Sequence, residues 1–421
     1  MIKNWRGNLL IALLALLPVL IWLVFENRPI DLDVVGRWTG LIAISLLSIN
    51  IILSARFHVF DRLFYGLDRM YKTHHFVGGF TLIFALIHSN ALIISASRVS
   101  LDAGFNLLTS TSDLALVAGR LSLMIMSSAM IVVLYFKVKY QWFITLQRIL
   151  GGVIFIAGYH ALFVAGSDVR SIPPLFFYMT LLGGSAAIIY IYRSLFHKPL
   201  NRKHTYKVIS AKNKGSITEI LLKPTKRRLQ HYAGQFMFIS FDSSRVSSEV
   251  HPFSISSGSS ENYLRISAKN IGDYTKTLPN LKSGDIAHIE GPFGHFSYSK
   301  IGGKSQTWIA GGIGVTPFLS MAQSLKDRTP ITLYYSVNNP NEAIYLEELE
   351  TIAKNNRNFK LVPVYTSKDG KLSAETISKK SGMTDNILLC GPPGMMKALE
   401  SQFISLGINK NNIHYEEFAL S

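Results

Sequence analysis

Two glycine-bearing segments and a pair of histidines carry the chemistry open to this chain. Residues 309–320 read IAGGIGVTPFLS and residues 390–396 read CGPPGMM. Gly311, Gly312 and Gly314 fall between a predicted strand and a predicted helix, with Thr316 and Pro317 in that helix's first turn. Such a turn lets backbone approach a pyrophosphate, and the helix start offers unpaired N–H groups and the positive end of a dipole. Many glycine-rich turns are only tight turns. Here Cys390, Gly391 and Pro392 close a later strand, and the two segments together point to a bound nicotinamide nucleotide. His74 and His88 lie fourteen residues apart on one apolar segment, and imidazoles inside a membrane span are costly and mark function.

A second anion site is suggested by residues 269–275, KNIGDYT. After Lys269, Gly272 and Thr275 open a helical stretch whose N–H groups and hydroxyl can hold a phosphate, although alone the segment reads as an ordinary capped helix. Upstream stands HPFSIS. His251 and Pro252, with the backbone and hydroxyls of Ser254 and Ser256, can hold the ribityl chain and phosphate of a flavin, and Phe253 can pack near its ring.

These groups are positioned by two unlike halves. Residues 9–25, 38–53, 76–97, 114–136, 143–165 and 174–196 are six apolar runs of roughly membrane length. Lys3 and Arg6 precede the first, but the run ends in VFENRPIDLD with no small-residue cleavage site, so it reads as a retained anchor. From an inside start, the inner segments carry Lys3, Arg6, Arg56, Arg62, Arg69, Lys72, Lys137, Lys139 and Arg148, against Arg28, Arg37, Arg98 and Arg170 outside. Six spans then place both termini, and everything after residue 200, in the cytoplasm of a multi-pass cell-membrane protein. The net charge of +17 fits attraction to anionic lipid and nucleotide phosphates; no nucleic-acid-binding motif accompanies it. The single cysteine, Cys390, excludes an internal disulfide framework and any multi-cysteine metal site.

Hydropathy changes character near Pro199. TYKVISA, SITEILLK, QFMFISF, PFSIS, YLRISAK and IAHIEG are short alternating segments, with one helical stretch, DYTKTLPNL. They predict a small antiparallel β-barrel. From Gln306 strands alternate with helices: QTWIAGG, ITLYYSV, FKLVPVY and NILLCG each precede a helical pattern, which predicts a parallel sheet covered on both faces. The expected domains are 1–198, 199–302 and 303–421.

HPFSIS, KNIGDYT, GPFG, GGIGVTP and CGPPGMM, in this order and spacing, resemble the ferredoxin reductase-type module of the NADPH oxidase and ferric reductase flavocytochromes. His251 in place of the Arg of soluble members is typical of the membrane branch. The resemblance covers nearly the whole chain and comes nearest to the compact bacterial NADPH oxidase homologues. It implies FAD on the barrel, NADPH or NADH on the following domain, and hydride transfer near Cys390. It also implies a C-terminal aromatic shielding the flavin, matched by Phe418. Where NADPH users in the family tend to carry an Arg after a Ser, this chain has Ser336 and then Asn338. An Asn cannot pair bidentately with a phosphate, so NADH or mixed use stays open.

The resemblance also gives the histidines a role. His74 and His88, about 21 Å apart along a helix, suit two b-type haems stacked across the bilayer, with His160 opposite His88 at the outer level. The family's fourth ligand position, thirteen residues before His160, is Gln147, and Gln is not an ordinary haem ligand. Three accounts stand: a haem held by His74 alone or with an unconventional sixth ligand, a deliberate substitution at Gln147, or no inner haem. A retained haem with altered ligation is expected, because without it the flavin is far from the outer haem. His75 and His58 read as boundary and surface residues. Arg120, and Arg98 from the loop, are expected to meet a haem propionate or an outer substrate, or to snorkel to the interface.

The reading is a membrane flavocytochrome that passes electrons from NAD(P)H through FAD and one or two haems to dioxygen or a ferric chelate outside. Its rivals are an electron-supply module for a quinone or periplasmic reductase, and a transporter or channel with a nucleotide-sensing domain.

Overall fold

The computed structural model describes residues 5–55, 57–64, 66–136, 140–196, 204–326, 329–382 and 384–416. The chain forms two compact units, Met1–Pro199 and Leu200–Ser421. The first runs through α1 (Trp5–Phe25), α2 (Leu32–Leu53), α3 (His58–Phe64), α4 (Leu67–Val99), α5 (Leu101–Thr109), α6 (Leu114–Tyr135), α7 (Tyr140–Phe163), α8 (Asp168–Ser171) and α9 (Pro173–Ile191). Within the described residues, six helices are long and apolar enough to cross a membrane, and they coincide with the six hydrophobic runs. The short helices α3 and α5 were not expected.

Helix starts follow the sequence. The side chains of Asp31, Ser100 and Asp113 accept from N–H groups of the first turns of α2, α5 and α6, satisfying donors that a helix start leaves unpaired. Helix α2 is the most enclosed span. It packs on α1, α4, α7 and α9, and supplies Val34, Leu41, Leu47 and Ile51 to the buried clusters of this unit. Large apolar side chains on the outside of the spans, such as Leu13, Phe80, Met124 and Phe177, remain exposed, as a lipid-facing surface requires.

The second unit begins with β1 (His204–Lys214), β2 (Ile217–Pro224), β3 (Phe236–Asp242), β4 (His251–Ser254), β5 (Leu264–Lys269) and β6 (Ile286–Phe293). They form an antiparallel sheet in the order β4-β3-β6-β1-β2-β5. The sheet curls until its edges meet: just beyond β4, the backbone N–H and the hydroxyl of Ser256 both donate to the carbonyl of Arg265 on β5, at 2.8 and 3.0 Å. The expected helix is a 3₁₀ stretch, Thr275–Asn280.

Strands β7 (Gln306–Gly311), β8 (Ile331–Val337), β9 (Phe359–Tyr365), β10 (Asn386–Cys390) and β11 (Ile413–Glu416) form a parallel sheet in the order β11-β10-β7-β8-β9. Neighbouring residues feed opposite cores. Trp308, Tyr335 and Leu388 belong to one buried cluster, Ile309, Tyr334 and Leu389 to the other, which is the period of two that a sheet covered on both faces needs. Strand β11 was not anticipated.

Barrel and parallel sheet are tied by a buried polar cluster. Arg265 makes a two-pronged pair with Glu348, at 3.0 and 2.9 Å, and lies 3.6 Å from Glu219. Tyr345 reaches across to the Ser267 hydroxyl at 2.5 Å.

Candidate functional site

In the membrane unit, three histidines share one construction. His88 Nδ1 lies 2.7 Å from the Gly36 carbonyl of α2, His160 Nδ1 2.8 Å from the Ala115 carbonyl of α6, and His74 Nδ1 3.1 Å from the Asn50 carbonyl of α2. A carbonyl at Nδ1 fixes the tautomer with the proton there and leaves Nε2 as a lone-pair donor, the state of a metal-binding imidazole. None of the three Nε2 atoms makes a hydrogen bond among the described residues.

His88 and His160 face each other with ring centroids 6.1 Å apart and planes 72° apart. Two imidazoles bound to one metal from opposite sides, each through a bond of about 2 Å, have centroids roughly 6 Å apart. Glycine makes room for both rings. A side chain on Gly40 would begin 2.6 Å from His88 Nδ1, and one on Gly119 2.6 Å from His160 Nδ1. In each helix the glycine stands four residues after the carbonyl that anchors the ring. Among the described residues no group of three or more His, Cys, Asp or Glu could hold a bare metal ion. A facing imidazole pair therefore suits a metal that brings its own equatorial ligands, as haem iron does.

At the level of His74, one anchored imidazole is present among the described residues. His74 and His88 are fourteen residues apart on α4, and their carbonyl partners Asn50 and Gly36 are fourteen apart on α2, so the outer anchoring arrangement is repeated. The buried Asn50 Oδ1, beside Gly78 one turn along, has no partner among the described residues. Gln147 is exposed on α7. The Arg120 guanidinium donates to the carbonyls of Leu108 and Ser110. It caps the C-terminal end of α5, where a cation is favoured.

In the second unit the two glycine segments meet. A side chain on Gly314 would begin 2.3 Å from the Cys390 carbonyl oxygen, and one on Gly391 3.0 Å from Gly311 Cα. Gly311, Gly314 and Gly391 thus serve backbone-to-backbone contact between the ends of β7 and β10. Gly312, at φ +54°, faces open space and is the glycine left to admit a phosphate. Thr316 and Pro317 start the helix Thr316–Gln323, as expected. Cys390 is fully buried. Burial, and secondarily the charge of Glu416, push its thiol well above the usual range, so it is a neutral thiol and no nucleophile. Glu416 pairs with Cys390 across β10 and β11, and its Oε1 lies 3.1 Å from where a Gly294 side chain would begin. It links the GPFG turn of the barrel to the end of the parallel sheet, and sequence reasoning missed it.

On the barrel, Ser254 is buried and its hydroxyl has no partner among the described residues, as fits a group awaiting a ligand. His251 stacks on Tyr274 with centroids 3.8 Å apart, and its Nε2 is 3.1 Å from Glu249 Oε2. Burial lowers the His251 pKa against the opposing pull of Glu249. The buried Tyr274 hydroxyl also lacks a partner among the described residues. Pro252 and Phe253 are half-buried beside them. Ser256 is a correction: its N–H and hydroxyl close the barrel edge and do not face a ligand. The Thr275 hydroxyl accepts from the N–H groups of Ile271 and Gly272, at 3.2 and 3.1 Å, so the capped turn is formed without an anion. Lys269 and Gly272 are exposed beside it. Phe418 lies outside the described residues.

Asn338 is exposed just beyond β8, and Ser336 is buried within it. The Asn338 carbonyl accepts from Ser367 N at 3.1 Å, which brings the turn bearing Lys368 alongside. Asn339 Nδ2 donates to Glu342 Oε1 at 3.1 Å.

Comparison with known proteins finds three family matches along the chain. Residues 39–158 match the ferric reductase like transmembrane component, residues 186–297 an FAD-binding domain, and residues 308–401 the oxidoreductase NAD-binding domain. Among curated proteins it is similar to Flavohemoprotein A of Dictyostelium discoideum, 30% identical over 186 residues, covering 40% of this chain and 47% of that one. NADH-cytochrome b5 reductase 1 of the same organism is 30% identical over 164 residues, covering 36% and 57%. The chain thus spans about half the length of the curated relatives it matches. Among solved structures, the flavohemoglobin of Malassezia yamatoensis is 20% identical, with a TM-score of 0.48 over 77% of this chain and 92% of that one. The FAD/NAD binding domain of a nitric oxide dioxygenase from Vibrio cholerae is 24% identical, with a TM-score of 0.44 over 51% and 97%.

Proposed function

We propose, for a chain whose three parts give it the architecture of the NADPH oxidase and ferric reductase flavocytochromes, that it carries electrons across a membrane from NAD(P)H to an acceptor on the far side. The donor would enter at the C-terminal ends of β7, β8 and β10. There Gly312 leaves room for its pyrophosphate, and the helix Thr316–Gln323 offers backbone N–H groups. Cys390, Gly391, Pro392 and Glu416 would line the hydride end, with the Cys390 thiol kept neutral by burial. His251, Ser254 and Tyr274 would hold the flavin phosphate and ribityl chain, with Pro252 and Phe253 against its ring, Lys269, Gly272 and Thr275 beside it, and Phe418 covering it. FAD bound there supplies the conversion from two-electron to one-electron transfer. Haem bound by His88 with His160, and by His74, supplies one-electron centres within the span.

In this reading residues 1–198, 199–302 and 303–421 are the membrane, flavin and nucleotide domains. The excess of Lys and Arg on one set of loops supports a cytoplasmic position for the last two. Dioxygen, giving superoxide, and ferric chelates are the proposed acceptors.

The observation that carries the proposal is the facing pair His88 and His160, each anchored at Nδ1 and 6.1 Å apart. Purified protein should show a Soret band that NADPH or NADH shifts to its reduced position, and inside-out vesicles should reduce an acceptor confined to the lumen. A preparation loaded with FAD but lacking a Soret band would favour the transporter reading.

A further inference from the structure

We propose that one corner of the barrel, formed by Lys207, Ile209, Lys223, Lys226 and Arg227, docks on anionic phospholipid headgroups of the membrane that the six apolar helices cross. This rests on the membrane part of the reading above and is independent of its haem and acceptor parts.

Lys207 on β1 and Lys223 on β2 are direct partners across an antiparallel pair, and both are exposed. Like charges so placed are about 5 Å apart at their Cβ atoms and repel. In the same row across the sheet come Ile286 on β6 and then Asp242 on β3. The acidic member of the row is therefore two strands, roughly 10 Å, from Lys207.

Just past β2 the chain is fastened to the start of β1. The Thr225 N–H and hydroxyl both donate to the Thr205 carbonyl, at 3.0 and 2.8 Å. Lys226 and Arg227 follow at once and are exposed. The next residue, Arg228, is spent on the carbonyls of Ser259, Ser260 and Glu261, which anchors the loop and leaves its two neighbours at the surface. Four cations thus stand within two residues of the Thr205–Thr225 contact. None of the four forms an ion pair with a carboxylate among the described residues.

A bulge adds an apolar side chain to this corner. The register of β1 against β2 shifts between Val208 and Ser210, so Ile209 is the extra residue, and a bulge re-aims its side chain. Ile209 is 44% exposed, while Tyr206 and Val208 are buried in the barrel core. An isoleucine turned outward among lysines gains by entering the boundary between headgroups and acyl chains, where anionic lipid also attracts the cations. A free phosphate would use the charges and leave the isoleucine in water, which favours lipid as the occupant. Strand β1 begins at His204, ten residues after Ser194 ends the last apolar helix, and a tether of that length spans at most about 35 Å.

The test uses the full, flavin-loaded chain in lipid nanodiscs of phosphatidylcholine, with or without phosphatidylglycerol. Lysines are acetylated with a water-soluble ester and counted by mass spectrometry, with the exposed Lys379 as reference. A basic residue near an anionic surface contributes about a fivefold bias toward attachment. Lys207, Lys223 and Lys226 should therefore react at least about fivefold more slowly with phosphatidylglycerol present, and molar salt should cancel the difference. Because Cys390 is fully buried, Ile209→Cys supplies a single accessible thiol for an environment-sensitive dye. Its emission should shift to the blue with phosphatidylglycerol alone, and the shift should vanish when Lys207→Glu and Lys223→Glu are added. Equal acetylation and equal emission in the two kinds of disc would overturn the proposal. So would protection by inorganic phosphate in phosphatidylcholine discs, which would make the corner a site for the free anion. A chain that enters neither kind of disc would instead remove the membrane reading beneath it.

Discussion

Glu416 stands in register with Cys390 across two parallel strands, and its carboxylate reaches the glycine turn at Gly294. The sole thiol of the chain is thus sealed beneath a buried carboxylate, where the nucleotide sheet meets the flavin barrel. Both burial and that negative charge favour the protonated thiol.

The sign of the resulting pH dependence follows. Below the unfolded thiol pKa of about 8.5, folded and unfolded chains both keep the proton. Above it only the unfolded chain releases it, so stability falls by up to about 1.4 kcal/mol per pH unit until the raised folded value is passed. Flavin release on heating should therefore shift to lower temperature between pH 8 and 10 more steeply in the unaltered protein than in Cys390→Ala. Iodoacetamide should leave Cys390 unlabelled at pH 8 until the chain is denatured. Equal slopes in the two proteins, or fast labelling of the folded one, would contradict this picture.

The outer imidazole pair depends on two glycines as much as on the histidines. A methyl group on Gly40 or Gly119 would begin 2.6 Å from a ring nitrogen, so the ring must swing and break its bond to the carbonyl of Gly36 or Ala115. Gly40→Ala and Gly119→Ala should each release the outer haem on purification, as His88→Ala and His160→Ala should. Reduction of flavin by NAD(P)H should continue in all four. A full haem complement in both glycine variants would show that the rings do not need this space.

Periodicity in the sequence was enough for the six spans, the six barrel strands and four of the five parallel strands, because each buries a face long enough to repeat. Strand β11 escaped because its residues, IHYE, are too few to show a period. Glu416 escaped for a different reason: its neighbours Cys390 and Gly294 are distant in sequence, and only the fold brings them together. Ser256 misled because alternation along β4 does not reveal that the sheet curls until that strand's end meets β5. Gly40 and Gly119 carry no signal of their own, since their spacing to the histidines runs across helices.

The link between barrel and nucleotide sheet should be stiff and sensitive to charge. Arg265 is 7% exposed and answers both Glu348 and the buried Glu219. Its loss leaves the part-exposed Glu348 with only the Gln323 amide and Glu219 with Lys214, which costs stability but less than stranding a fully buried charge. Arg265→Met should lower the melting temperature of the flavin-loaded protein and slow flavin reduction at saturating coenzyme, while the haem spectrum stays as it was. Adding Glu348→Leu should recover part of the stability, because a carboxylate that has lost its cation is then gone. Losses that simply add would show that the two side chains are not coupled.

Coenzyme choice should follow from Asn338. It stands at the exposed end of β8, where an adenosine ribose would lie in the proposed site, with Glu342 held nearby by Asn339. A neutral carboxamide beside a carboxylate offers no cation to a 2′-phosphate, whereas an arginine would present a planar fork matched to it. Hydrogen bonds to a charged group are worth about 1.5–3 kcal/mol, so Asn338→Arg should raise the NADPH-to-NADH ratio of kcat/KM by roughly ten- to a hundred-fold. The unaltered protein should use both coenzymes with little preference, or favour NADH. A strong NADPH preference before any substitution would assign the phosphate to another cation. Lys368, on the turn whose Ser367 bonds the Asn338 carbonyl, is then the residue to change, and Lys368→Ala should abolish that preference without altering turnover with NADH.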